Sequence, residues 1–310
     1  MPRSLALVAV FLGAAALAHA QSGQNIIWQD SPERAVALAR NAKRPILVYV
    51  LGSELDRNDR LERDQRRALA DPKVVNQARR FVCVKISRVR HKEFLQPFGL
   101  RENASLEISF VAPDGEQLGS ISGSGVATVD TLTEKLFRVF DFHRQRMFDR
   151  ELRPVLENKE SKPAELRAAL KTIREFTING ADATVAALLD RTDLDKKTTA
   201  DCYNVLSDLS TKISVEKLIS LAEEGDAKAT AALSKCTPAA AEMMLDQWIT
   251  PDRIRLDLYQ AMGKICRVKS VKNEKWWQNA KDYLKTKEID RITELVRQAA
   301  KTWKDENAYR

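Results

Sequence analysis

Five short apolar runs, IIW, ILVYVL, FVCVKI, EISFVA and QLGSIS, punctuate the chain between residues 26 and 122. Each is too short for a useful helix and is bounded by turn or helix signals, so each predicts a strand. The intervening segments carry apolar positions at helical spacing. SPERAVALARNAKR opens on Ser31-Pro32-Glu33, a helix start with Pro in the first turn, and stops before Pro45. A charged helix through RRALA and a second helical turn, DPKVVNQARR, follow ILVYVL, and HKEFLQPFG reads as a short helical piece ended by Gly99. Pro113-Asp114-Gly115 joins the last two strands as a hairpin. TVDTLTEKLFRVFDF then sets Leu132, Leu136, Val139 and Phe140 on one helix face. This alternation predicts one sheet with helices on both faces.

Beyond residue 142 the strand pattern stops. RQRMFDRELRPVLENKESKPAE is polar and interrupted by Pro154 and Pro163, as expected of a helical linker. From PAELRAALKTIREF to KEIDRITELVRQAAKTW the chain is a series of amphipathic helices joined by short polar turns. Such helices bury their apolar stripes only against neighbours, which predicts a HEAT-like helical repeat, with a compact helical bundle as the alternative because no strict period appears. The expected organisation is a leader over 1–20, an α/β domain over 21–142, a helical linker over 143–162 and an α-helical repeat-like domain over 163–310.

The leader reading rests on MPRSLALVAVFLGAAALAHAQSG, a charged start, a short apolar core and an Ala-His-Ala exit. These are the parts of a secretory signal peptide cleaved near Ala20, with an uncleaved anchor as the alternative. An exported, periplasmic or extracellular chain without a transmembrane segment is therefore expected. The 310 residues, 44% hydrophobic and 30% charged, suit a globular protein, and the net charge of +8 is spread among acids. An exported basic chain points away from nucleic acid and toward protein or peptide partners, or an anionic polymer. Four cysteines are too few for a disulfide framework in a chain this long. Cys83 lies in a core-like strand, and one bridge among Cys202, Cys236 and Cys266 is open to them without the spacing choosing a pair.

The run IIWQDSPERAVALARNAKRPILVYVLGS, then a charged helix, ADPKVV, RRFVCVKIS, FVAPDG and a Gly-containing strand, resembles an exported thioredoxin-like domain. The resemblance covers about 115 residues, rests on order and spacing, and leaves the C-terminal half outside it. It implies a thioredoxin fold whose active loop follows the central strand. In that family the loop carries a redox Cys-x-x-Cys at a helix start, where the helix end lowers the thiol pKa. Here Leu55 stands at the family's Trp position, Asp56 and Asp59 stand at the two Cys positions, and Arg57 and Asn58 lie between them. Leu106 stands near the family's cis-Pro, so that peptide is expected to be trans. With both devices missing, the resemblance implies a redox-silent domain.

Other chemistry is thinly supported. The acids of residues 54–64 alternate with arginines, and pairs such as Asp59/Arg63 and Glu62/Arg66 fall at i,i+4, so capping and ion pairing explain them better than a metal. Arg88, Arg90, His91 and Lys92 follow a strand as a candidate anion patch, with a solvated loop as the alternative. Trp276-Trp277 reads as a core anchor, with a recognition platform as the alternative. No metal or cofactor is implied. The expected function is a non-catalytic protein-interaction or substrate-holding module. The alternatives are a thiol-disulfide oxidoreductase or isomerase with displaced cysteines, which predicts an accessible thiol of low pKa, and a binder of anionic envelope polymer.

Overall fold

A computed structural model describes residues 25–51, 59–100, 107–249 and 254–308. The expected leader lies outside these residues. The chain divides into two compact units between Phe140 and Asp141.

In the first unit, β1 (Trp28–Gln29) and β2 (Ile46–Leu51) pair in parallel with β3 (Val82–Ser87). β4 (Glu107–Val111) pairs antiparallel with both β2 and β5 (Gln117–Ser122), giving one sheet in the order β1-β3-β2-β4-β5. Strand alternation divides the side chains between two faces. On one, Ile46, Val48 and Val50 of β2 and Val84 and Ile86 of β3 pack with Ala35 and Ala39 of helix α1 (Pro32–Ala42). The Ser31 hydroxyl starts α1 by accepting the Arg34 N–H at 3.1 Å, and Lys43 ends it in the left-handed conformation. Leu95, which closes the short helix α4 (Lys92–Leu95), and Phe98 and Leu100 just after it complete this core.

The other face carries Leu47 and Tyr49 of β2 and Cys83 and Lys85 of β3. Phe81 bridges there to Phe110 of β4 and to Phe140 of α5 (Val129–Met147), with ring centroids 5.8 and 6.1 Å apart. Helix α2 (Asp59–Ala70) is tied to this face where the Tyr49 hydroxyl donates to Gln65 Oε1 at 2.9 Å. Asp71 then caps α3 (Pro72–Ala78) by accepting the Lys73 N–H at 2.8 Å. The hairpin at Pro113-Asp114-Gly115 forms as its residues predict, with Gly115 supplying φ +92°.

The second unit is entirely helical apart from an isolated bridge between Ile249 and Ile254. The segment read as a helical linker is helical up to Glu157: α5 runs on to Met147, a π-helical turn spans Phe148–Leu152, and α6 covers Arg153–Glu157. Phe148, Leu152 and Leu156 recur every four residues and are buried, which makes this a packed stretch despite its polar composition. Pro154 is tolerated because it stands in the first turn of α6.

Then come α7 (Pro163–Phe176), α8 (Asp182–Leu188), α9 (Lys196–Leu209), α10 (Lys212–Glu223), α11 (Ala227–Leu233), α12 (Pro238–Met244) and α13 (Leu256–Ile265). Their packing has a regular pattern. α6, α8, α10 and α12 form one row, α7, α9, α11 and α13 form another, and the hairpin pairs α6/α7, α8/α9, α10/α11 and α12/α13 link the rows. Asp195 and Asp226 cap α9 and α11 through backbone N–H groups, and the Tyr203 hydroxyl of α9 donates to the Asp226 carboxylate. After α14 (Glu274–Asn279), the long helix α15 (Asp282–Glu306) returns along α12. A mixed-sheet unit followed by a helical one agrees with the coarse reading of the sequence.

Candidate functional site

Along β2 and β3 one residue is charged. Lys85 lies on the α2 side of β3, between β1 and β2 in the sheet, yet it is exposed. Parallel strands so placed are normally covered and apolar on both faces, so an exposed lysine there marks a stretch that the described helices leave open.

The register explains its company. Tyr49 of β2 is the direct partner of Lys85, while Trp28 of β1 is the partner of Cys83, two residues earlier on the same face. The Trp28 and Tyr49 rings meet at 5.7 Å with planes tilted by 42°. Lys85 Nζ sits 4.9 Å from the Trp28 ring centroid, a cation–π contact. The last turns of α2 add Arg66, Leu69 and Ala70, and Asn25 and Ile26 close the groove before β1. Together these residues line an open groove of about 490 Å³, within the range of sites that take a small molecule or the side chains of a peptide. Two cations, two aromatic rings and several aliphatic side chains line it, without a carboxylate among the described lining residues.

Beneath the groove Tyr49 is 4% exposed and its hydroxyl is engaged by Gln65, so it contributes a ring surface rather than a donor. Gln65 is fully buried, and its Nε2 has no hydrogen-bond partner among the described residues. A buried amide satisfied on one side only holds the Tyr49 ring in place at a cost in stability. Sequence reasoning passed over this groove. The one available signal was Lys85 itself, a charge inside VCVKIS where the strand pattern demands an apolar residue.

The residues singled out from sequence fall elsewhere. Leu55, Asp56, Arg57 and Asn58 lie outside the described residues, as do the Asp59 side chain and Leu106; the backbone of Asp59 begins α2. The residues of the candidate anion patch make local contacts around the end of β3. Arg88 turns toward Glu107, its Nη2 lying 3.4 Å from Glu107 Oε2, and the two side chains are 10% and 1% exposed. His91 accepts the Ser87 N–H at its Nδ1 (3.0 Å), and the Arg90 N–H donates to the Ser87 hydroxyl (3.4 Å), so these residues stitch the turn after β3 to itself. Lys92 opens α4.

The four cysteines are free thiols, and the bridge considered among Cys202, Cys236 and Cys266 is not formed. They occupy different elements: Cys202 lies within α9, Cys236 follows α11 and donates toward the Ala232 carbonyl at 3.6 Å, and Cys266 ends α13. Burial pushes the Cys83, Cys202 and Cys236 thiols up to about 12, and the half-buried Cys266 up to about 11. These shifts run opposite to those of a redox-active thiol, whose pKa is lowered.

Trp277 packs edge-on against Trp248, Tyr259 and Trp276, with centroids 6.3, 5.3 and 5.0 Å away, and is a core anchor. His143 is buried against Phe176. Among the described residues no group of three His, Cys, Asp or Glu is placed to hold a metal ion, and no helix is long and apolar enough to cross a membrane. No protein-family model matches the chain, and no curated protein matches it in sequence.

Proposed function

We propose that this chain is an exported binding protein, a redox-inactive thioredoxin-like unit followed by a helical-repeat unit, which holds a polypeptide partner without carrying out thiol exchange. The observation that carries the binding reading is the groove of Trp28, Tyr49, Arg66 and Lys85, a preformed opening of about 490 Å³ on an otherwise packed sheet face. The thioredoxin-like reading is supported by β2 being the third of five strands, with residues 52–58 leading from it to α2. The family's active loop follows the central strand in the same way, and β4, which Leu106 precedes, lies beside β2. The helical-repeat reading draws on the two rows of helices in the second unit, since stacked hairpins that touch only neighbours behave as a solenoid. Export is supported by the Arg3-started apolar leader and its Ala-His-Ala exit.

Oxidoreductase chemistry through displaced thiols has little to work with. All four thiols are raised in pKa, and the three most buried are inaccessible to a protein disulfide.

The test uses the chain from Gln21 to Arg310. Added to a protein diluted out of denaturant, it should suppress aggregation measured by light scattering, and it should leave the rate of insulin reduction by dithiothreitol unchanged. Acceleration of insulin reduction that disappears in Cys266→Ser would establish the oxidoreductase alternative instead. The register of the degenerate loop has its own check: Asp56→Cys combined with Asp59→Cys should yield a reducible pair, and failure to bridge would place the loop differently.

A further inference from the structure

The groove beside β1 carries more than a general capacity to bind. From its geometry we infer that it is a recognition site for an acidic peptide segment, one that sets a carboxylate against Lys85 and the apolar side chain two residues along on the Trp28 and Tyr49 rings. This inference rests on the polypeptide-holding reading and names the kind of polypeptide.

Three observations converge. The first is charge. Lys85 and Arg66 both line the groove, with no acid in its described lining. Lys85 stands over the Trp28 ring at 4.9 Å. A cation–π contact uses the charge of the ammonium but none of its three N–H donors, so they remain available to a carboxylate. A carboxylate there forms charge-assisted hydrogen bonds.

The second is shape. Next to that cation lie the tilted Trp28 and Tyr49 rings, with Leu69 as an aliphatic wall. With the Tyr49 hydroxyl turned inward to Gln65, Tyr49 offers its ring as apolar surface. A ligand must therefore carry its negative charge and its apolar group side by side.

The third is the edge. β1 is the outermost strand of the sheet and pairs only with β3 among the described residues. An open strand edge beside a side-chain pocket is how extended peptides are commonly taken, with main-chain hydrogen bonds on the edge and alternate side chains in the pocket. A small anion would use the pocket and leave the edge idle.

Isothermal titration of the full mature chain with an alanine pentapeptide carrying glutamate at its second position and leucine at its fourth, blocked at both ends, tests this. Its glutamine-for-glutamate counterpart, phenylacetate and polyphosphate serve as comparison ligands. The glutamate peptide should bind, weaken as salt rises, and bind about tenfold or more weakly to Lys85→Met. Lys73→Met, which removes an exposed charge in the first turn of α3, should bind as the parent does, and circular dichroism should confirm that both variants are folded. Equal binding of the glutamine peptide, or undiminished binding to folded Lys85→Met, overturns the inference. So does phenylacetate or polyphosphate binding as tightly as the peptide. If aggregation is suppressed while the glutamate peptide is ignored, the groove assignment fails and the holding function stands. If the peptide binds through Lys85 but no aggregation is suppressed, the holding function fails and the groove assignment stands.

Discussion

Arg88, just after β3, and Glu107, at the start of β4, form an ion pair that spans β2, with Nη2 to Oε2 at 3.4 Å and Glu107 buried. Neither residue neighbours the other in sequence, and the strand between them supplies Val50 as the direct partner of Glu107. The pair ties together the strand ends that flank the last residues of β2.

Removing one member should cost far more than removing both. Arg88→Met leaves Glu107 buried without its cation, and about 3–5 kcal/mol of stability should be lost. Arg88→Met combined with Glu107→Leu should restore most of it, because an apolar pair avoids the desolvation of two charges. Urea unfolding of the three variants measures this, and a strictly additive double variant would mean that the two residues are not coupled.

A second coupled pair underlies the groove. Gln65→Leu removes the buried amide whose Nε2 lacks a partner, but it also strips Tyr49 of its acceptor, so it should destabilise by about 1–3 kcal/mol. Tyr49→Phe with Gln65→Leu deletes donor and acceptor together and should fall within about 1 kcal/mol of the parent. Thermal unfolding distinguishes the two.

The thiols set an alkaline limit. Burial raises Cys83, Cys202 and Cys236 from 9.0 to about 12, so the folded chain keeps protons that the unfolded chain gives up. Their contribution is intact below about pH 9 and is lost as pH rises toward about 12. Urea midpoints should therefore fall between about pH 9 and about pH 11, and less steeply in Cys202→Ala. In the native protein a thiol reagent should reach the half-buried Cys266 first, with the other three reacting only on unfolding.

An acid limit comes from the second unit. Burial opposes ionisation of Glu288, but hydrogen bonds from Arg291 (2.6 Å) and the Tyr259 hydroxyl (2.6 Å) outweigh it and hold the carboxyl below its ordinary value of 4.5. Stability from this group is present above about pH 4.5 and is lost as pH falls through the lowered folded value. Glu288→Gln should be less stable than the parent at neutral pH, with the difference shrinking in acid. A constant difference across the range would show that ionisation of Glu288 does not contribute.

Much of the local architecture was legible in the residues. Ser31-Pro32 and Asp71-Pro72 start helices, Pro113-Asp114-Gly115 turns a hairpin, and short apolar runs form strands, because each signal acts within a few residues of chain. The change from alternating to wholly helical patterning near residue 142 was equally local. By contrast, Phe148, Leu152 and Leu156 hid a packed helix inside a segment of polar composition, since few apolar residues suffice when they share one face.

What the sequence by itself determined, then, was the kind and order of the elements and the absence of cysteine between residues 21 and 82. Only the tertiary structure decided that Trp28, Tyr49 and Lys85 share one groove, that Arg88 meets Glu107, and that the helices stack in two rows. The physical reason is range. Propensity, capping and turn chemistry are written in short windows, whereas strand register and helix stacking depend on which distant surfaces bury each other, and no local pattern names its partner.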